Sequence, residues 1–294
     1  MKEIDIWLKT PPIGEEKTSF RYLGRSKFDE HVAKLISKKF KGNYNSRIMT
    51  PYSIRYTEKG LEVGVGECLF SEHQILNKTN EFTDGRKKAL EQRAFPMSVM
   101  GLTVTSDGQI VFSRRDFRHS HANGRITLSP GGYVDAEHDR AMDFINPFLS
   151  VEREYNEEFG AETSTIERLT LQGITFSNKD NFGCSLSYKL ETKLTFQELK
   201  THYDKRHDLE TNEIQGIEFS GDSLLSFIFS NLEEMSNHAV GTCLLVGRNE
   251  FGIEWYEKAL KEIRKNGDIV EIPDDFFDEK RDVNKVIMMF HQLG

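Results

Sequence analysis

Apolar positions recur at helical spacing between residues 147 and 159: Phe148, Val151, Tyr155 and Phe159 fall at i, i+3, i+7 and i+11. One stripe of such a helix faces a core. Asn146-Pro147 marks its start, because Asn can cap exposed N–H groups and Pro is pre-set for the first helical position. Gly160 marks its end, since glycine adopts the left-handed conformation that closes a helix. The spacing predicts a helix over 147–159. Glu154, Glu157 and Glu158 fall at i, i+3 and i+4 and share a different face.

The rest of the pattern mixes the two periods. Gly101 to Ser113 reads as a hairpin around Asp107-Gly108, and Ser53 to Val65 as one turning at Lys59-Gly60. Ile4–Leu8, Leu171–Phe176, Gly183–Leu190 and Ile214–Phe219 read as strands. Phe28–Phe40 is an amphipathic helix, Phe196–Tyr203 a short one, and Glu254–Lys265 another amphipathic one. Leu224–Phe229 and His238–Val246 are apolar enough for core helices. Asp84–Arg93 is charged, helical or linking, and Pro96 marks a boundary because the residue before proline resists helix. The alternation predicts mixed strands covered by helices.

Composition narrows the class. With 294 residues, 37% hydrophobic and 29% charged, the chain suits one large or two modest globular domains. A net charge of −8 argues against a general nucleic-acid binder. No apolar run reaches the length of a membrane span, and no signal-peptide core opens the chain. Cys68, Cys184 and Cys243 are far apart and odd in number. They form neither a zinc spacing nor a disulfide framework, so reduced thiols in a cytoplasmic protein are expected.

The acidic face of the 147–159 helix opposes its own stability. Like charges at this spacing repel by a few tenths of a kcal/mol per pair. Glu157 and Glu158 also sit at the end of the helix that carries partial negative charge. Arg153, four residues before Glu157, offsets one charge only. A divalent cation would remove the conflict, because Mg²⁺ and Mn²⁺ prefer oxygen ligands. A solvated acidic face is the bland alternative.

Arg153, Glu154, Glu157, Glu158 and Gly160 fill the fixed positions of the second half of a known signature, Arg-Glu-U-x-Glu-Glu-x-Gly-U with U apolar; Tyr155 and Ala161 take U positions. Upstream, Ile126 to Gly132 leads through Ser-Pro into a Gly131-Gly132 turn. Together these residues resemble the Nudix box. The resemblance implies an α+β fold, a Nudix-type α/β/α sandwich with a mixed sheet, over residues 96–294, preceded by an α/β extension over 1–95. It implies a Mg²⁺- or Mn²⁺-dependent pyrophosphohydrolase with Glu154, Glu157 and Glu158 as metal ligands. Glu154, with Arg153, and Glu213 are the expected catalytic groups. Arg114, Arg115, Gly131 and Gly132 are the expected contacts to a diphosphate. Strand alternation lets only one of Arg114 and Arg115 face a given site.

The chain departs from the signature in one stretch. Aligned on Gly131-Gly132, the family's first glutamate falls on His138, with Glu137 one place early. The following gap is longer than usual, and the extra segment, Asp139 to Asn146, is expected to be a loop. Arg118, His119, His121 and Arg125 follow the first hairpin as a polar loop able to grip phosphate, with plain surface as the alternative. His238 reads as a core or cap histidine. The N-terminal extension and lengthened box also resemble the UDP-sugar-cleaving branch, which would release UMP and a sugar 1-phosphate. The partner is then a small nucleoside diphosphate derivative, with no nucleic acid and no membrane; no oligomeric state follows. ADP-ribose or dinucleoside polyphosphate hydrolysis, and a non-catalytic sensor of a nucleotide metabolite, are the alternatives.

Overall fold

The structure is a computed structural model that describes residues 2–25, 34, 46–73, 96–116, 124–141, 144–177, 183–207, 210–265, 267–271 and 281–282. The expected helix at Phe28–Phe40, apart from the single residue Lys34, and the segment Asp84–Arg93 lie outside the described residues. In chain order the strands are β1 (Lys2–Ile13), β2 (Thr18–Arg25), β3 (Arg47–Thr57), β4 (Gly60–Leu69), β5 (Met97–Val104), β6 (Gln109–Arg115), β7 (Ile126–Leu128), β8 (Gly131–Tyr133), β9 (Arg140–Ala141), β10 (Phe144–Ile145), β11 (Ile166–Ser177), β12 (Gly183–Thr192), β13 (Thr211–Glu218), β14 (Gly267–Glu271) and β15 (Arg281–Asp282). The helices are α1 (Pro147–Phe159), α2 (Phe196–Tyr203), α3 (Gly221–Asn231), α4 (Asn237–Phe251) and α5 (Ile253–Ile263). The chain is a mixed α+β protein.

It divides into two compact units, each assembled from separate stretches. One comprises residues 1–15, 98–132 and 148–273; the other comprises 16–97, 133–147 and 274–294. The division differs from a boundary at 95/96. Strand β1 pairs antiparallel with β11, Asp5 opposite Phe176, so the first residues join the unit that holds the acidic helix. That pairing joins segments more than a hundred residues apart, and local composition carries no trace of it.

The first unit is built on a sheet ordered β13-β6-β5-β12-β11-β1-β14, with β7 beside β6 and β8 beside β5. It is mixed: β1 runs parallel to β14, whereas β1–β11, β11–β12 and β6–β13 are antiparallel. Helices cover both faces, and adjacent residues of β12 show it. Ser187 Oγ lies 2.9 Å from Thr242 Oγ1 of α4, while the next residue, Tyr188, packs edge-on against Phe148 of α1 at 5.1 Å. Side chains alternate along a strand, so α1 and α4 lie on opposite faces. The α4 side encloses a core of Leu102, Phe112, Leu224, Leu244, Tyr256 and Leu260. The α1 side buries Phe148, Val151, Tyr155 and Phe159, the stripe read from the sequence. Tyr155 also hydrogen-bonds Thr192 of β12 at 2.8 Å.

The second unit carries a sheet ordered β15-β3-β4-β2-β10-β9. The hairpin expected at Lys59-Gly60 is β3–β4, with Thr57 opposite Gly60. The segment expected as a plain loop, Asp139 to Asn146, instead contains β9 and β10, and β10 pairs with β2, Ile145 opposite Phe20. Two-residue strands have no sequence period of their own; their partner defines them. Among the described residues no helix is long and apolar enough to cross a membrane.

Candidate active site

Helix α1 begins at Pro147 and ends at Phe159, followed by Gly160 at φ +66°. Its acidic residues are not equivalent. Glu158 is only 4% exposed. Its Oε1 accepts a hydrogen bond from the Gly131 amide at 3.2 Å, and its Oε2 is buried with no hydrogen-bond partner. Glu154, one turn earlier, accepts from Arg153 Nη1 at 2.6 Å. Its carboxylate lies against Gly132, where a Cβ would come within 2.0 Å of Glu154 Oε1. Only a glycine therefore leaves the carboxylate in this position. The side chain of Glu157 is 50% exposed and reaches Arg153 Nη1 at 3.5 Å. Two acids thus face Gly131 and Gly132, which open strand β8 just after the bend at Ser129-Pro130 and do not themselves form the expected turn, and the third sits at the rim.

The turn is held from below. Thr103 Oγ1 donates to the Ser129 carbonyl at 2.6 Å, Ser129 and Ser113 hydroxyls meet at 2.8 Å, and the Gly101 amide donates to the Pro130 carbonyl at 2.7 Å. The Ser129-Pro130 peptide is cis.

Burial, with neighbouring negative charge added to it, pushes both inner carboxyls upward. Glu154 is raised to about 7, first by burial; Arg153 opposes the shift and Glu157 adds to it. Glu158 is raised well above the usual carboxylate range, first by burial and then by Glu154, with Ser129 and Arg115 opposing. Two such acids are stabilised by a shared proton or by a cation. Among the described residues no group of three or more His, Cys, Asp or Glu is placed to hold a metal. The inner pair alone, with the unpartnered Oε2 of Glu158, fits a hard cation that keeps much of its water shell.

A stability change follows from the Glu154 shift. An unfolded glutamate titrates near 4.5, the folded one near 7. Between these values the folded state holds the extra proton, so stability falls as pH rises, by on the order of 3 kcal/mol in total, and levels off above about 7. Denaturant unfolding in EDTA from pH 4.5 to 7.5 should show wild type losing this stability relative to Glu154→Gln. A difference between the two that stays flat with pH would contradict the shift.

The two arginines at the end of β6 are separated. Arg115 Nη2 pairs with Glu210 Oε2 at 2.9 Å, and the charges of both reach Glu158. Glu210 also acts on Glu154. Arg114 turns elsewhere, to Glu213 at 3.3 Å, Glu234 at 2.9 Å and the Gly124 carbonyl at 2.8 Å. Its partner Glu213 has a side chain 66% exposed. Alternation along β6 separates the two side chains, and a shift in the register sets their neighbours: Thr211 lies opposite Arg115, and Glu213, two residues on, lies opposite Arg114.

The structure therefore brings together Glu154, Glu158, Arg153, Arg115, Gly131 and Gly132, and holds Arg114 and Glu213 as a separate ion-paired group. Glu210 was missed by sequence reasoning; it directly precedes the strand that pairs with the arginines, and that position was its only signal. Arg118, His119 and His121 lie outside the described residues. His238 is buried with Nδ1 3.0 Å from Thr175 Oγ1, a core histidine. Glu152 is partly buried, and burial together with the charge of Glu15 raises its pKa. Glu137 belongs to the second unit, where it lies 3.8 Å from Arg47.

No protein-family model matches the chain, and no curated protein matches it. Among solved structures it is similar to a Nudix hydrolase from Nitrosomonas europaea, at 10% identity and TM-score 0.37, over 53% of this chain and 90% of that one. It is also similar to a MutT protein from Methanosarcina mazei, at 17% identity and TM-score 0.32, over 58% and 96%. A putative nudix hydrolase family member from Chromobacterium violaceum shares 13% identity at TM-score 0.31, over 68% and 97%. All three overlap loosely with it.

Proposed function

We propose that this chain is a Nudix-type pyrophosphohydrolase that uses Mg²⁺ or Mn²⁺ to cut a diphosphate bond in a nucleoside diphosphate linked to another group. One observation carries the reading: two carboxylates on one helix face, the buried Glu158 and the largely buried Glu154, lie against Gly131 and Gly132. Glu154 and Glu158 would hold the cation, with Glu157 at the rim. Bound there, it supplies polarisation of a phosphoryl oxygen and a more acidic bound water.

The chain's own groups do the rest. Arg115 binds phosphate oxygens through charge-assisted hydrogen bonds. Arg153 holds the Glu154 carboxylate in one orientation. Glu210, within electrostatic reach of both inner acids, is better placed than Glu213 to take a proton from the attacking water. Resemblance of the extended layout to the UDP-sugar branch supports a UDP-sugar, cleaved to UMP and a sugar 1-phosphate.

The purified 294-residue chain with Mg²⁺ or Mn²⁺ should release UMP from UDP-glucose or a related UDP-sugar, with turnover by Glu158→Gln about 10²–10³-fold lower in the same assay. Cleavage of ADP-ribose or a dinucleoside polyphosphate, without UMP from any UDP-sugar, would keep the hydrolase and replace the substrate. Tight nucleotide binding with no cleavage of any panel member would make the protein a sensor.

A further inference from the structure

We infer that Arg206 is a positioning residue, clasping the segment before β13 so that Glu210 is held at the Glu154–Glu158 pair; this rests on the site proposed above. Arg206 follows α2 and makes contacts that converge on both ends of the short segment carrying Glu210. Its guanidinium carbon lies over the Tyr203 ring, 3.2 Å from the centroid. Nη1 donates to the Tyr203 carbonyl at 2.6 Å. Nη2 donates to the Thr211 carbonyl, and lies 3.3 Å from Thr211 Oγ1. Tyr203 itself reaches Thr211 Oγ1 through its hydroxyl at 3.0 Å. Residues 203 and 211 are thus tied across the base of the segment, and Glu210 is the residue next to the tie.

The clasp is anchored to the acidic helix. At Gly160, the residue that ends α1, a Cβ would come within 3.1 Å of both Arg206 Cβ and the His202 carbonyl. Gly160 therefore does more than end α1 with a positive φ: its missing side chain lets the turn after α2 close against the end of the helix that carries Glu154 and Glu158. From Thr211 the order passes to Glu210, whose carbonyl accepts from the Asp116 amide at 2.9 Å and whose carboxylate holds Arg115. A planar guanidinium can stack and donate in two directions at once; an ammonium cannot reproduce both. Arg206 makes no hydrogen bond or ion pair to either inner acid, and the inferred route to them is through Thr211 to Glu210.

The test uses the full chain and Mn²⁺ alone, with affinity read by calorimetry and folding by thermal melting. Arg206→Lys should weaken Mn²⁺ binding roughly 10-fold, the loss expected when a group supporting metal ligands is removed. Glu210→Gln should do about the same, and the double variant should be no weaker than either single one, because both act on one element. Tyr203→Phe, which keeps the stack and loses only the hydroxyl bond to Thr211, should weaken binding a few-fold. Additive losses in the double variant, or wild-type affinity in a folded Arg206→Lys protein, would overturn the inference and leave the site intact. If Arg206→Lys does not fold, wild-type affinity in Tyr203→Phe overturns it instead. A wild-type chain that binds no Mn²⁺ would overturn both the inference and the site.

Discussion

Glu158→Gln should lower metal-dependent turnover by about 10²–10³-fold, equivalent to roughly 3–4 kcal/mol of barrier, while the protein remains folded. The buried Oε1 of Glu158 accepts the Gly131 amide, and a glutamine carbonyl can keep that bond. What disappears is a carboxyl that burial makes costly to ionise, so stability without metal should hold or rise. Glu154→Gln should behave alike. Glu157→Gln should cost less, about 10-fold, because its half-exposed side chain lies at the rim beside Arg153. Steady-state kinetics at saturating and limiting Mg²⁺, paired with thermal melts, check this ordering. A Glu157 variant more damaged than the Glu158 variant would show that the rim, not the inner pair, carries the metal.

The second large effect is expected at a glycine. Gly132→Ala would place a methyl within 2.0 Å of Glu154 Oε1 and 2.2 Å of its Cδ. The clash is with the far end of a side chain, so the carboxylate can swing aside at modest cost to folding. Activity cannot follow: a displaced Glu154 leaves the pair, and turnover should fall to the level of Glu154→Gln. Gly131→Ala is the contrast. There a Cβ meets the Leu128 carbonyl at 3.4 Å and the Val99 carbonyl at 3.6 Å, ordinary contacts, and the amide that donates to Glu158 is kept. Its turnover should stay within a few-fold of wild type. Equal activity in the two alanine variants would mean that Glu154 does not need its place on the turn. The resemblance to a box treats Gly131 and Gly132 alike; the packing separates them.

Local features of the chain were legible because their causes are local. Pro147 and Gly160 limit α1 through fixed φ and permitted positive φ, and neither needs a distant partner. The apolar stripe and the acidic face follow from 3.6 residues per turn. The two hairpins, whose turns fall one place earlier than expected at Glu58-Lys59 and Ser106-Asp107, and the span of α2 follow from turn chemistry and capping, with Thr195 and Glu198 forming a reciprocal cap.

Only the tertiary structure decided which acids and arginines meet. Alternation already separated Arg114 from Arg115, and the β6–β13 pairing with its register shift put Glu213 beside the first and Glu210 beside the second. Burial then made Glu154 and Glu158 a pair and left Glu157 at the rim. Strand β14 has five residues, and β9 and β10 two each; β14 and β10 pair with the remote strands β1 and β2, and β9 is defined by its pairing with β10. Three glutamates at i, i+3 and i+4 read as one cluster along a helix. Their separate environments come from what packs above each one, and that is set by contacts that no local pattern records.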